Sequence, residues 1–114
     1  MDKDVSTYLK QILDAIILIE EYSAGVSKEE FLRDSELRDA VSMRLHLIGE
    51  ISNKLPEDFK NRISEIPWVQ IAGMRNFIAH QYLEITEETI WNTVVADLPI
   101  LKDVLLAELK KIQP

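Results

Sequence analysis

Apolar residues return at steps of three and four along nearly the whole of this chain, a spacing that selects helices over strands. Between Val5 and Tyr22 they stand at Val5, Tyr8, Leu9, Ile12, Ile16, Ile19 and Tyr22, which is one face of a helix. The exposed side carries Lys3, Lys10, Asp14, Glu20 and Glu21, and Gly25 lies just beyond as a natural stop. Ser27-Lys28-Glu29-Glu30 is a capping-box pattern, followed by a short turn that carries Phe31 and Leu32 onto the end of the fold. A second long helix is predicted from about Ser35 to Leu55, with Leu37, Val41, Leu45, Ile48 and Ile51 inward and Pro56 closing it. Gly49 inside this helix costs roughly 1 kcal/mol against Ala and so marks a close helix contact.

Glu57 to Ile63 reads as a short connector helix. Pro67 suits the first turn of a third helix, where its missing amide proton would be unpaired anyway. Trp68, Ile71, Ala72 and Ile78 give that helix an inward face, and its end is predicted near His80. Thr86 is the expected N-cap of a fourth helix, with Glu87 and Glu88 complementing its dipole. Its stripe runs through Trp91, Val94, Leu98, Leu101, Leu105 and Ile112, and Pro99 is expected to kink it. The predicted fold is all-α: an antiparallel up-and-down bundle of four main helices plus short connector helices, forming one domain over residues 1–114.

Composition narrows the function. Thirteen Lys and Arg stand against twenty Asp and Glu, a formal charge of −7. Such a surface argues against sequence-blind coating of nucleic acid, which depends on neutralising phosphates. The chain has no cysteine, which excludes a disulfide framework, a thiolate metal site and a thiol nucleophile. No apolar run approaches the roughly 20 residues of a membrane span. The charged start Met1-Asp2-Lys3-Asp4 has no signal-peptide core, so a cytoplasmic protein with no membrane partner is expected.

Candidate chemistry is concentrated in Met74-Arg75-Asn76-Phe77-Ile78-Ala79-His80-Gln81-Tyr82. Imidazole can accept a proton from a ribose 2′-hydroxyl near neutral pH. A guanidinium can grip a phosphate in a bidentate fork, while Asn76 and the Tyr82 hydroxyl add hydrogen bonds. On an ideal helix at about 100° per residue, Arg75 and Tyr82 share a face, and His80 stands about 140° away from Arg75. Convergence therefore needs the helix to fray, or a second chain to complete the site. One histidine cannot be base and acid in the same step; a two-fold dimer supplies two. The same residues also admit a structural reading: a solvated Arg75, a His80 capping free carbonyls and a Tyr82 packed with its hydroxyl wet. His46, beside the stripe of the second helix, reads as a structural histidine out of contact with this segment. Trp68 and Trp91 read as core, and Glu84, Glu87 and Glu88 as capping and solubility. No metal cage or cofactor site is visible, so none is expected.

From about Tyr8 to Leu101 the chain resembles a HepT-like toxin ribonuclease of the HEPN superfamily. The most specific likeness is Arg75-x-x-x-x-His80-x-Tyr82, which matches the family's Arg-x4-His-x-Tyr motif. Ile48-Gly49-Glu50, Ile66-Pro67-Trp68, Gly73-Met74-Arg75-Asn76 and Asp97-Leu98-Pro99 agree in the flanks. One departure is His46, which stands where relatives commonly carry an acidic residue. The resemblance implies a metal-independent endoribonuclease acting on RNA as the toxin of a type VII toxin–antitoxin pair, with Arg75 and His80 catalytic and Asn76 supporting. It implies a homodimer whose motifs face each other across a cleft, and an MntA-like nucleotidyltransferase antitoxin that transfers AMP from ATP to Tyr82. The competing readings are a non-catalytic module that binds a nucleotide or a nucleotidyltransferase, and a helical scaffold.

Overall fold

The computed structural model describes residues 2–76 and 86–112, and all regular structure among them is helical. Helix α1 spans Asp2–Ser23, and its Leu9, Ile12, Ile16 and Ile19 are completely buried. Gly25 follows at φ 72°, a left-handed turn that only glycine enters without a steric penalty. Helix α2 (Lys28–Arg33) opens on the expected capping box: the Glu30 amide donates to Ser27 Oγ at 3.2 Å, and the Ser27 amide donates to Glu30 Oε1 at 3.0 Å. Helix α3 spans Ser35–Ser52 and packs on α1. Its N-cap is Asp34, whose Oδ1 accepts from the Leu37 amide at 3.0 Å.

Two expected boundaries move. Helix α3 stops at Ser52 rather than Leu55; the Leu55 amide turns back to the Ser52 carbonyl, and Leu55 is buried. Pro56 therefore opens α4 (Glu57–Arg62) rather than closing α3. The third main helix is α-helical only over α5 (Trp68–Gly73), then tightens into a 3₁₀ turn at Met74–Asn76. Its expected end near His80 lies outside the described residues.

Helix α6 (Glu87–Asn92), capped by Thr86 as expected, leads through a π turn at Thr93–Asp97 into α7 (Leu98–Ile112). Pro99 lacks the amide proton that would reach Val95, and its ring collides with that carbonyl in a regular helix. The wide turn just ahead of it accommodates both defects, and the helix continues through Pro99 as expected rather than ending there. The fully buried positions follow: Ile90 and Thr93, then a step of five to Leu98, Leu101 and Leu105. Trp91 and Val94, expected on the inner stripe, are half-buried at its margin. Trp91 still meets Phe31 of α2 at a ring-centre distance of 5.3 Å. No helix among the described residues is long and apolar enough to cross a membrane.

Helix α7 is tied to its surroundings by polar contacts as well as by its leucines. Lys102 Nζ lies 2.9 Å from Glu20 Oε1 of α1. Glu108, only 5% exposed, accepts Lys111 Nζ at 2.9 Å and pairs with Arg62 of α4 at 3.1 Å. Burial alone pushes the Glu108 carboxyl up, but the hydrogen bonds and attraction of Lys111 and Arg62 outweigh it and hold it below its ordinary 4.5. A depressed folded-state value adds stability above the unfolded value, and that stability disappears as pH falls through the folded one. Glu108→Gln is expected to cost roughly 1–2 kcal/mol near neutral pH, because both cations are more than half exposed and screened. The gap in melting temperature between wild type and variant should hold near neutral pH and close as pH falls below 4.5 and through the lower folded-state value.

The close approach expected at Gly49 is present. A Cβ on Gly49 would stand 3.0 Å from Arg75 Cα and from the Met74 carbonyl carbon, and closer still to the Arg75 amide nitrogen. Those atoms are backbone and cannot swing aside. A Cβ on Gly73 would meet nothing within 4 Å. The same substitution should therefore act with opposite sign. Gly49→Ala is expected to destabilise by about 1–3 kcal/mol despite its better helix propensity. Gly73→Ala should stabilise by up to about 1 kcal/mol. Urea unfolding of the two variants beside the wild type checks both signs.

Candidate functional site

The 3₁₀ turn Met74–Asn76 sits on α3, with Met74 buried and Arg75 and Asn76 exposed. Sequence periodicity placed Arg75 on a continuing α-helix. The Met74 amide instead reaches the Ile71 carbonyl, and the tighter winding re-aims the two residues that follow. Angular arguments from an ideal helix therefore do not hold across Met74–Asn76. His80 and Tyr82 lie outside the described residues, so their position relative to Arg75 and Asn76 is not part of this geometry.

His46 corrects the sequence reading. It touches the motif: its Nδ1 hydrogen-bonds the carbonyl oxygen of Arg75. A carbonyl only accepts, so the ring proton is on Nδ1 in this contact. The other ring nitrogen, Nε2, stands 3.8 Å from Glu50 Oε1. Gly49 and Glu50 follow His46 by three and four residues, so each neighbours it on the surface of α3. Gly49 lets the turn approach, and His46 holds it by its carbonyl. The signal was available in part, because His46 stands one helical turn before the glycine that marked the close contact. What the chain packed there was not.

Two clefts flank the turn. One, of about 510 Å³, lies between α4 and α5 and is lined by Asn53, Lys60, Asn61, Trp68, Arg75 and Asn76, among others. Trp68 is fixed there: its Nε1–H donates to the Ile63 carbonyl at 2.9 Å, and the edge of Phe59 meets it at 6.3 Å. The other cleft, of about 360 Å³, lies toward the π turn, where Thr93 and Asp97 face Gln70 and Met74. A guanidinium, an ammonium and three amides line the cleft between α4 and α5, an arrangement suited to an anionic, hydrogen-bonding ligand.

The comparisons with known proteins agree with this class. Residues 12–108 match the model of the ribonuclease HepT-like family, and the chain belongs to that family. It is 40% identical over 102 residues to a Thermococcus cleftensis protein named "Probable ribonuclease HepT", covering 90% of this chain and 93% of that one. A Caldanaerobacter subterraneus subsp. tengcongensis protein named as an RNase is 36% identical over 95 residues, covering 83% and 85% of the two chains. A Methanocaldococcus jannaschii protein whose name joins gamma-glutamylcyclotransferase with RNase is 38% identical over 106 residues. That match covers 93% of this chain but 48% of the relative, so the chain spans about half of that protein's length. No solved structure matches the chain significantly.

Removing the His46 side chain takes one donor from the Arg75 carbonyl. His46→Ala is expected to lower stability by about 1 kcal/mol, with His46→Asn, whose amide can still donate, costing less. Urea denaturation resolves the ranking, and equal losses in the two variants would show that the contact contributes packing rather than a hydrogen bond.

Proposed function

We propose that this protein is a metal-independent endoribonuclease and the toxin of a type VII toxin–antitoxin pair. The observation that carries the reading is the intact Arg75-x4-His80-x-Tyr82 motif in a HepT-like ribonuclease family member, with Arg75 and Asn76 exposed on a buttressed turn. In this reading the chain is a single helical domain that folds as an antiparallel up-and-down bundle and acts in the cytoplasm. Two copies pair so that their motifs share one cleft.

The chemistry follows from residue types. His80 of one copy accepts the proton of a ribose 2′-hydroxyl, and the 2′-oxygen attacks the adjacent phosphorus. The bond to the 5′-oxygen breaks, that oxygen takes a proton from the imidazolium of the second copy, and a 2′,3′-cyclic phosphate remains. Arg75 stabilises charge on the non-bridging oxygens, and Asn76 adds a donor. The partner in this reading is an MntA-like nucleotidyltransferase that moves AMP from ATP onto the Tyr82 hydroxyl and releases pyrophosphate. The added phosphodiester places bulk and negative charge in the groove where an RNA phosphate would bind.

Purified protein is expected to cut RNA in the presence of a chelator and to leave 2′,3′-cyclic phosphate ends. His80→Ala and Arg75→Ala should each lose at least about a hundredfold in rate. Cutting that persists unchanged in His80→Ala would refute the assignment. Tight binding of a nucleotidyltransferase with no RNA cleavage under any condition would instead establish a non-catalytic binding module.

A further inference from the structure

We infer that the cleft between α4 and α5 is a subsite for one nucleotide of single-stranded RNA, next to the phosphate held by Arg75. The inference rests on the ribonuclease reading for its place in a reaction, but its geometry is independent of His80 and Tyr82. Four observations carry it. The first is size: about 510 Å³ lies within the range of pockets that enclose small organic ligands. A base with its sugar fits such a space once it is splayed from its neighbours, which is how single-stranded RNA is commonly read.

The second is the wall. Trp68 has spent its only polar group on the Ile63 carbonyl, so only ring carbons remain for the cleft. A ring held in place by that bond and by Phe59 is a platform that loses little entropy when a base lies against it. The third is the pair of amides, Asn53 and Asn61, which can present both donors and acceptors to the edge of a base.

The fourth is charge. Lys60 lines the same cleft with its side chain only 13% exposed, 3.3 Å from Glu57 Oε1. Glu57 is 80% exposed, so this is a weak ion pair at a solvated edge. A phosphate oxygen can replace that carboxylate at the ammonium without burying a new charge. Each cleft holds one carboxylate, Glu57 here and Asp97 on the other side of the turn, but among the described residues only this cleft sets cations, Lys60 and Arg75, beside it. On a chain of net charge −7, that contrast assigns the RNA to the α4 side of Arg75.

The test uses the full chain and a single-stranded RNA oligonucleotide 2′-O-methylated throughout, which can bind but cannot supply the attacking hydroxyl. Dissociation constants at fixed low salt are read from fluorescence anisotropy of a labelled strand. Lys60→Ala and Asn61→Ala should each weaken binding about tenfold. Glu57→Gln should tighten it about threefold by removing the competing carboxylate. Gln70→Ala, in the opposite cleft, should leave binding within about twofold. The proposal is overturned if wild type does not bind the strand, if Lys60→Ala and Asn61→Ala bind like wild type, if Gln70→Ala weakens binding as much as they do, or if an RNA duplex binds equally well. The two readings separate cleanly. RNA cleavage with an unchanged KM in Lys60→Ala and Asn61→Ala removes the subsite and leaves the ribonuclease. The predicted binding pattern without any cleavage of natural RNA removes the ribonuclease and leaves a nucleotide-binding cleft.

Discussion

The backbone of the Arg75 turn lies directly on helix α3 because residue 49 has no side chain, and much of the candidate site depends on that contact. Glycine in a helix interior is unfavourable by itself. Here the vacancy admits the Met74–Arg75 backbone to within van der Waals reach of the helix axis side, where any Cβ would collide with it. The neighbours on α3 are arranged around this approach. His46 binds the Arg75 carbonyl one turn earlier, and Ser52 Oγ donates to the Gly49 carbonyl at 2.9 Å one turn later. Buried Met74 anchors the turn from below. Arg75 and Asn76 are exposed, yet the peptide that carries them is gripped on both sides.

Charge and shape complement this rigidity. An acidic protein repels polyanions at long range, and screening at physiological salt confines that repulsion to roughly 8 Å. A site that must engage a phosphate against such a background gains from cations fixed in place. Arg75 is placed by the backbone contact and Lys60 by its burial along α4. Recognition would then be local and dependent on a few groups.

Much of the architecture was legible in the sequence where the determinants are local. The capping box at Ser27–Glu30, the cap at Thr86 and the stop at Gly25 each involve groups within a few residues, and each is found as read. Gly49 announced a close contact because an unfavourable residue needs a compensating reason. The failures share a cause as well. The 3₁₀ tightening at Met74, the early end of α3 and the grip of His46 on Arg75 are set by what packs across from them, which periodicity does not contain. The sequence marks His46 as structural, and it is structural, but what it structures is the Arg75 turn. Lys60, Asn53 and Asn61 carried no signal at all, since isolated polar residues on short helices acquire meaning only when a cleft gathers them.

The π turn ahead of Pro99 makes the spacing of residues there as consequential as their identity. An α-helical seam cannot pass from Thr93 to Leu98 in five residues and keep one face inward; the widened turn absorbs the surplus. Loss of a single residue between Thr93 and Asp97 would return the segment to ordinary winding and rotate everything before it by about 100° relative to α7. Trp91 would then turn away from Phe31, and the Thr86 cap would be carried around with it. An insertion or deletion of one residue is commonly harmless in a loop. In this helix it would act as a gear slipping by one tooth, misaligning α6 against α2 while leaving every one of its side chains unchanged.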